Sequence, residues 1–177
     1  MSNYENNNDT LGKIKEIIDK KQKLDVEITA DKIIKEYCII ENSQLLFGIQ
    51  LEYLREVYDI RNKNDIIPIP FTPPFLIGVT NVRGEILPVV NIGKLLGVSD
   101  VVDYHKMVIT EVEYKIAFPV TSIEDLIQID ISSIQPIYAN VNEEGIRFVN
   151  GEFIWNEQKI LIIDMLRLFS SSEFRVE

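Results

Sequence analysis

Short apolar runs separated by turn residues fill most of the chain from Tyr37 onward. The runs are rich in β-branched and aromatic residues, which is typical of a compact all-β domain. The strands they predict are residues 37–40, 45–49, 55–60, the two runs within 77–90, 106–112, 114–120, 123–129, 145–149 and 153–163. With about five short strands in each half, the pattern predicts two small barrels in one chain.

Only short helical segments interrupt this pattern. Residues 51–54 predict a single helical turn, and residues 92–96 predict a short helix that Gly97 ends. Four prolines crowd into residues 68–74, and because proline has no N–H to donate, they predict an extended or turning loop. Pro119 lies within a strand run, which predicts an edge strand or a bulge that leaves an edge open for a partner.

The N-terminal region follows a different pattern. Residues 1–9 are polar and Asn-rich, which predicts a disordered tail. Asp9 and Thr10 are candidate caps of an amphipathic helix whose apolar residues fall mainly on one face. Those residues are Leu11, Ile14, Ile17, Ile18 and Leu24. Residues 25–36 add a second short helix, so that residues 10–35 predict a helical extension. Its apolar face either packs on the barrels or binds another protein.

The polar turn between the two runs of residues 77–90 is the most informative feature for function. Asn tolerates and Gly readily adopts positive φ, so Asn81 and Gly84 suit a tight reversal of the chain. Arg83 lies between them at the tip, and an arginine on a rigid loop is typical of a recognition element. A second hairpin turn is predicted at residues 150–151, an Asn-Gly pair.

Composition and charge narrow the class of protein. The chain has 177 residues, 46% hydrophobic and 26% charged, as in an ordinary soluble globular protein. Its 28 acidic and 18 basic residues give a net charge of −10, which disfavours nucleic acid and anionic membrane surfaces as partners. Residues 1–6 lack the features of a signal peptide, and no apolar run approaches the roughly 20 residues that span a bilayer. We therefore expect a cytoplasmic protein.

The sequence offers few candidate residues for catalysis or for metal binding. The single cysteine, Cys38, cannot form an internal disulfide, and its place in a β-run predicts a small buried hydrophobe. The single histidine, His105, has no second metal-type ligand nearby in the sequence, and no phosphate-binding glycine loop is present. The sequence therefore predicts no catalytic residue, no metal and no cofactor. Trp155 is predicted to pack between barrel layers, with an exposed interface position as the alternative.

Several of these segments together resemble the CheW family of chemotaxis coupling proteins. They are Glu-Val at 56–57, Ile-Gly-Val-Thr-Asn-Val-Arg-Gly-Glu-Ile-Leu-Pro-Val-Val at 77–90, Leu-Leu-Gly at 95–97 and Ile-Leu-Ile-Ile-Asp at 160–164. The resemblance covers residues 36–169 and leaves residues 170–177 as a C-terminal tail. The chain departs from the family's common pattern at Asn91, where Asp is usual, and at Thr121, which replaces the Asp of a Val-Asp pair.

The resemblance implies a mainly β fold of two intertwined five-stranded SH3-like barrels, here preceded by the amphipathic N-terminal helix. It implies a non-enzymatic scaffold that couples the cytoplasmic hairpin of methyl-accepting chemoreceptors to the regulatory domain of the histidine kinase CheA. The alternative is a CheW-like interaction module of another signalling system, in motility or gene regulation, whose partner is chosen by the N-terminal extension.

The partner-binding residues that the resemblance implies fall into two groups. Glu56 and Arg83 match a Glu and an Arg that are paired in the family, and we expect them to lie together and hold the turn formed with Asn81, Val82 and Gly84. The second group matches the groove between the barrels, where a helical receptor hairpin would dock. It consists of Leu54, Gly78, Met107, Val108, Ile123 and Leu126. The alternative for all six is an ordinary core position, because every strand hides one face by default.

Overall fold

The computed structural model describes residues 32–42, 45–98, 103–137 and 141–171. The predicted disordered tail and amphipathic helix of the N-terminal region lie outside these residues, as does the C-terminal tail beyond residue 171. One boundary of the predicted helical extension is wrong, since Ile34 already belongs to a strand and pairs with Asp130. None of the helices in the described part of the chain is long and apolar enough to cross a membrane.

Ten strands make up most of the described structure. They are β1 (Ile34–Asn42), β2 (Leu45–Gln50), β3 (Leu54–Asp59), β4 (Leu76–Val82), β5 (Glu85–Val90), β6 (Lys106–Glu111), β7 (Lys115–Val120), β8 (Ser122–Asp130), β9 (Val149–Trp155) and β10 (Gln158–Ile163). Two short α-helices follow strands, α1 (Ile92–Leu95) and α2 (Met165–Ser170). Single 3-10 turns occupy Leu51–Tyr53, Lys63–Asp65, Ile131–Ser133 and Gly145–Phe148.

The strands form two five-stranded sheets. The first sheet has the order β8-β1-β2-β10-β9, and the second has the order β3-β6-β7-β5-β4. The chain makes two strands of the first sheet, builds the whole second sheet, and then returns to complete the first. The predicted fold of two intertwined five-stranded units is therefore confirmed, although the two units are not the two halves of the sequence.

Several strands, β1, β6 and β10 among them, carry apolar side chains on both faces. In β1, Tyr37 and Ile39 belong to a cluster inside the first sheet, whereas Cys38 and Ile40 belong to a larger cluster shared by both sheets. In β10 and β6, too, alternate residues belong to a cluster within one sheet and to the shared cluster. Because successive residues of a strand point to opposite faces, a continuous apolar run is what such a position requires. Each of these strands therefore faces a barrel interior on one side and the common core on the other.

Cys38 lies in the shared core with almost no exposed surface. Burial raises the pKa of its thiol to about 11, because the thiolate would lose its hydration. The prediction of a small buried hydrophobe is confirmed. Trp155 is half-buried and packs against the cluster of the first sheet, not against the core that both sheets share.

The predicted hairpin turn at residues 150–151 is wrong, because both residues lie inside β9. Gly151 has φ of +157°, and a Cβ there would come within 2.6 Å of the Gln135 carbonyl oxygen. The glycine is needed for this close approach of two backbones rather than for a turn. The real turn is at residues 156–157, which have φ of +48° and +64° and connect β9 to β10. The strand predicted at residues 145–149 is instead mostly a 3-10 turn.

Pro119 does not mark an open edge, and that prediction is wrong. It lies in β7, the central strand of the second sheet, opposite Met107 of β6. The ladder between β7 and β5 has one register pair, at Ala117 and Val89, so Pro119 lies beyond it and no ladder bond to β5 is lost there. Its carbonyl oxygen accepts a hydrogen bond of 3.1 Å from Nδ2 of Asn42. The proline thus sits where the two sheets meet.

Candidate functional site

The candidate site begins at the tip of the hairpin formed by β4 and β5. Val82 pairs with Glu85, so Arg83 and Gly84 alone make the turn, with φ of +53° and +90°. Positive φ at both central residues is the requirement of a type I′ turn, which matches the twist of the flanking strands. Asn81 was predicted to take part in the reversal, but it remains in β4 and its Oδ1 accepts a hydrogen bond of 2.8 Å from the Gly84 N–H. This hydrogen bond from the turn to the Asn81 side chain stabilises the turn, and we call it the Asn81 clamp.

Arg83 reaches from this turn to Glu56 on β3. Its Nη2 lies 3.0 Å from Oε2 of Glu56, which confirms the predicted pairing. The arginine side chain is 85% exposed and the glutamate side chain 29% exposed. An ion pair this accessible contributes about 1 kcal/mol or less to folding, because water and salt screen it. Its main effect is on where the Arg83 side chain is held.

A second contact joins the same two strands. The hydroxyls of Tyr58 on β3 and Thr80 on β4 are 3.3 Å apart, and burial raises the pKa of Tyr58. Because β3 and β4 are the two end strands of the second sheet, these contacts show that the sheet curls round until its ends meet. Glu56 and Tyr58 point to the same face of β3, as residues two apart in a strand must.

Further charges surround the turn. The ammonium of Lys115 on β7 forms an ion pair with the carboxylate of Glu85, and this hydrogen bond is the main cause that raises the pKa of Lys115. The carboxylates of Glu111 and Glu56 raise it further. We call the group of Glu56, Arg83, Glu85 and Lys115 the charged corner. Ile86 follows Glu85 in β5, points to the other face of the strand, and is 60% exposed.

Gly78 has a structural role in placing the hairpin. Its φ is +154°, and a Cβ on it would lie 2.3 Å from the carbonyl oxygen of Ile67. Ile67 forms an isolated antiparallel bridge with Val79, with two hydrogen bonds of 2.8 and 2.9 Å. The proline-rich loop therefore lies directly against β4, and only glycine permits the approach.

The other apolar residues of the predicted groove divide by exposure. Met107 and Val108 have no exposed surface, Met107 inside the second sheet and Val108 in the shared core, so both have the ordinary core position that was the alternative. Leu54 and Ile123 are half-buried and both pack against the shared core. Leu126 on β8 is 59% exposed. Only the last three side chains are accessible to a partner.

Comparison with known proteins decides the family. The model of the CheW-like domain matches residues 36–173. The chain belongs to the CheW-like domain family. A probable chemotaxis protein CheW from Rhizobium etli is 25% identical over 123 residues, which cover 68% of this chain and 79% of that protein. Chemotaxis protein CheW from Treponema pallidum is 25% identical over 137 residues, which cover 73% of this chain and 79% of that protein.

A solved structure agrees with this assignment. The crystal structure of the scaffolding protein TtCheW from Thermoanaerobacter tengcongensis has 28% sequence identity and a TM-score of 0.64. The similarity covers 80% of this chain and 96% of that chain. The resemblance to the CheW family found in the sequence is thereby confirmed, together with its mainly β architecture.

Four members of this region, Tyr58, Glu85, Ile86 and Lys115, were not found by sequence reasoning. Tyr58 shares a strand face with Glu56, so the period of two along β3 would have placed both on one side. Ile86 precedes the buried Leu87, and the same alternation places Ile86 outside. Lys115 gives no such local signal, because its pairing with Glu85 depends on the parallel packing of β7 beside β5.

Two glycines provide a matched test of this geometry. We expect Gly78→Ala to lower the free energy of unfolding by about 2–4 kcal/mol, because the new Cβ collides with backbone that cannot move without breaking the bridge. Gly84→Ala meets no atom within 4 Å and should cost only about 1 kcal/mol, from its left-handed backbone. Urea unfolding of both variants measures the difference. Equal losses would contradict the close approach at Gly78.

Proposed function

We propose that this chain is a non-enzymatic scaffold that couples the cytoplasmic hairpin of chemoreceptors to the regulatory domain of the histidine kinase CheA. Membership of the CheW-like family supports the scaffold role, and the relatives named above are described as chemotaxis or scaffolding proteins. The role is assigned to the domain that begins with β1, acting in the cytoplasm.

The charged corner is the observation that carries the proposal. Arg83 is almost fully exposed, yet a type I′ turn, the Asn81 clamp and the Glu56 carboxylate hold it in one place. A pre-positioned arginine loses little side-chain entropy on binding, which favours its use as an interface anchor. Ile86, three residues from Arg83 on the same hairpin, adds an exposed apolar side chain to this region. This combination of a rigid charge and an apolar neighbour is what an interface centre requires.

We assign receptor docking to the accessible members of the apolar group. Leu54 and Ile123 are half-buried side chains that border the shared core, and Leu126 is an exposed leucine on β8, an end strand of the first sheet. An amphipathic helix recognises a surface by placing its apolar residues against such side chains. In this proposal Met107 and Val108 do not contact the receptor, and their buried side chains only pack beneath the surface.

Substitution of Arg83 tests the corner. We expect Arg83→Glu to weaken binding of the CheA regulatory domain or the receptor hairpin by about tenfold or more, because it places a third carboxylate beside Glu56 and Glu85. The unfolding free energy should change by about 1 kcal/mol or less. Binding is measured by titration calorimetry with each purified partner.

Arg167→Glu is the matched control for this experiment. Arg167 is also exposed and also forms an ion pair, with Asp164, but it lies on α2 away from the β4–β5 turn. Its substitution should leave both affinities unchanged. If Arg83→Glu kept both affinities, the turn would not be part of the interface. The alternative of a different signalling system predicts that neither partner binds the unsubstituted protein.

Leu126 tests the receptor assignment separately. We expect Leu126→Ala to weaken binding of the receptor hairpin by about fivefold, because an exposed apolar contact is lost, and to leave stability within about 0.5 kcal/mol. Leu166→Ala is the control, since Leu166 is the same residue type and is 55% exposed on α2. Equal receptor affinities for the two variants would contradict the assignment.

A further inference from the structure

A cleft of about 740 Å³ opens beside the proline-rich connection between β3 and β4. This volume is within the range of sites that bind small molecules. Much of the lining is apolar and comes from the connection and the start of β4, including Ile60, Ile66, Ile69, Pro73, Leu76 and Ile77. None of the residues predicted from the sequence to bind partners lines it.

Two cations line the same cleft, Arg61 and Lys94. Neither charged group forms an ion pair with another residue in the described part of the chain. Arg61 acts at longer range on Asp59, whose pKa is lowered mainly by Lys106 and further by Arg61. Among the described residues of the lining, Asp103 is the only acid, and its Oδ1 lies 3.4 Å from Nε2 of His105. With two basic residues and one acidic residue, the described lining carries one excess positive charge on an acidic protein, which favours anions.

Asn91 orients Tyr104, another polar residue of the lining. Its Oδ1 accepts a hydrogen bond of 3.0 Å from the backbone N–H of Lys94, so its Nδ2 must face Tyr104, to whose oxygen it donates at 2.5 Å. The hydroxyl proton of Tyr104 has no acceptor among the described residues. Burial raises the pKa of Tyr104, so the hydroxyl keeps this proton at neutral pH. An aspartate at position 91 would instead accept a hydrogen bond from the Tyr104 hydroxyl.

We propose that the cleft binds a small amphipathic anion, with an acidic head group and an apolar body. The head group is recognised by Arg61, Lys94 and the unused donor of Tyr104, because charge-assisted hydrogen bonds are the strongest that these groups can make. The apolar body lies against the side chains of the β3–β4 connection. The proposal is independent of the scaffold role, since no member of the charged corner lines the cleft.

Fluorescence titration of the full chain with 8-anilinonaphthalene-1-sulfonate tests this proposal, because the probe is an aromatic anion whose emission rises in an apolar site. We expect saturable binding to the native protein and displacement by decanoate. Decanol, which has the same chain without the charge, should displace it at least about tenfold less effectively. Absence of saturable binding, or equal displacement by decanoate and decanol, would overturn the proposal.

Substitutions assign the binding to the cleft. Lys94→Met removes one charge at nearly constant length, and Tyr104→Phe removes only the hydroxyl; each should weaken probe binding by about fivefold or more. Asn91→Asp should weaken probe binding as well, because the new carboxylate repels an anion and accepts a hydrogen bond from the Tyr104 hydroxyl. Lys35→Met, which removes a lysine of β1 that lies outside both the cleft and the charged corner, is the control and should bind like the parent. Thermal unfolding confirms that each variant is native, and parent-like affinity of native Lys94→Met and Tyr104→Phe would overturn the proposal.

Discussion

The closure of the second sheet is the constraint on which the candidate site depends. In a flat five-stranded sheet, four strand spacings of about 4.8 Å would separate β3 from β4 by about 19 Å. Instead, Tyr58 and Thr80 approach to 3.3 Å and the charged groups of Glu56 and Arg83 approach to 3.0 Å. The curl of the sheet thus brings a hairpin tip to a strand at the opposite end of the sheet order. Without it, Arg83 would be an isolated surface charge.

The shared core gives this curled sheet a rigid support. Strands β1, β6 and β10 bury side chains on both faces, so each barrel interior and the common core are built from the same strands. Close packing on both sides of a strand leaves few alternative positions for it. The β4–β5 hairpin emerges from this support, and its two-residue turn adds little freedom. Rigidity at Arg83 is therefore a property of the whole fold.

Local patterns predicted much of the fold, and a family resemblance predicted the Glu56–Arg83 pair. The apolar runs of β1 and β10 and the helix ending at Gly97 follow from spacing and composition alone. The predictions made from Gly151 and Pro119 were wrong for the same reason. A glycine or a proline indicates a special backbone position, but it does not indicate whether a turn or a neighbouring strand requires that position. The cleft was invisible in the sequence, since it joins Arg61 to Tyr104 through long-range packing.

The central claim is that Arg83 contacts a partner and that Glu56 holds it in place. A charge exchange tests this most directly: Glu56→Arg with Arg83→Glu restores an ion pair within the protein but reverses the charge that is presented. Affinities for the CheA regulatory domain and the receptor hairpin are compared with those of each single variant and the parent. We expect the exchanged protein to unfold like the parent yet bind at least one partner about tenfold more weakly. Parent-like binding of both partners would show that the pair serves loop geometry alone and would contradict the claim.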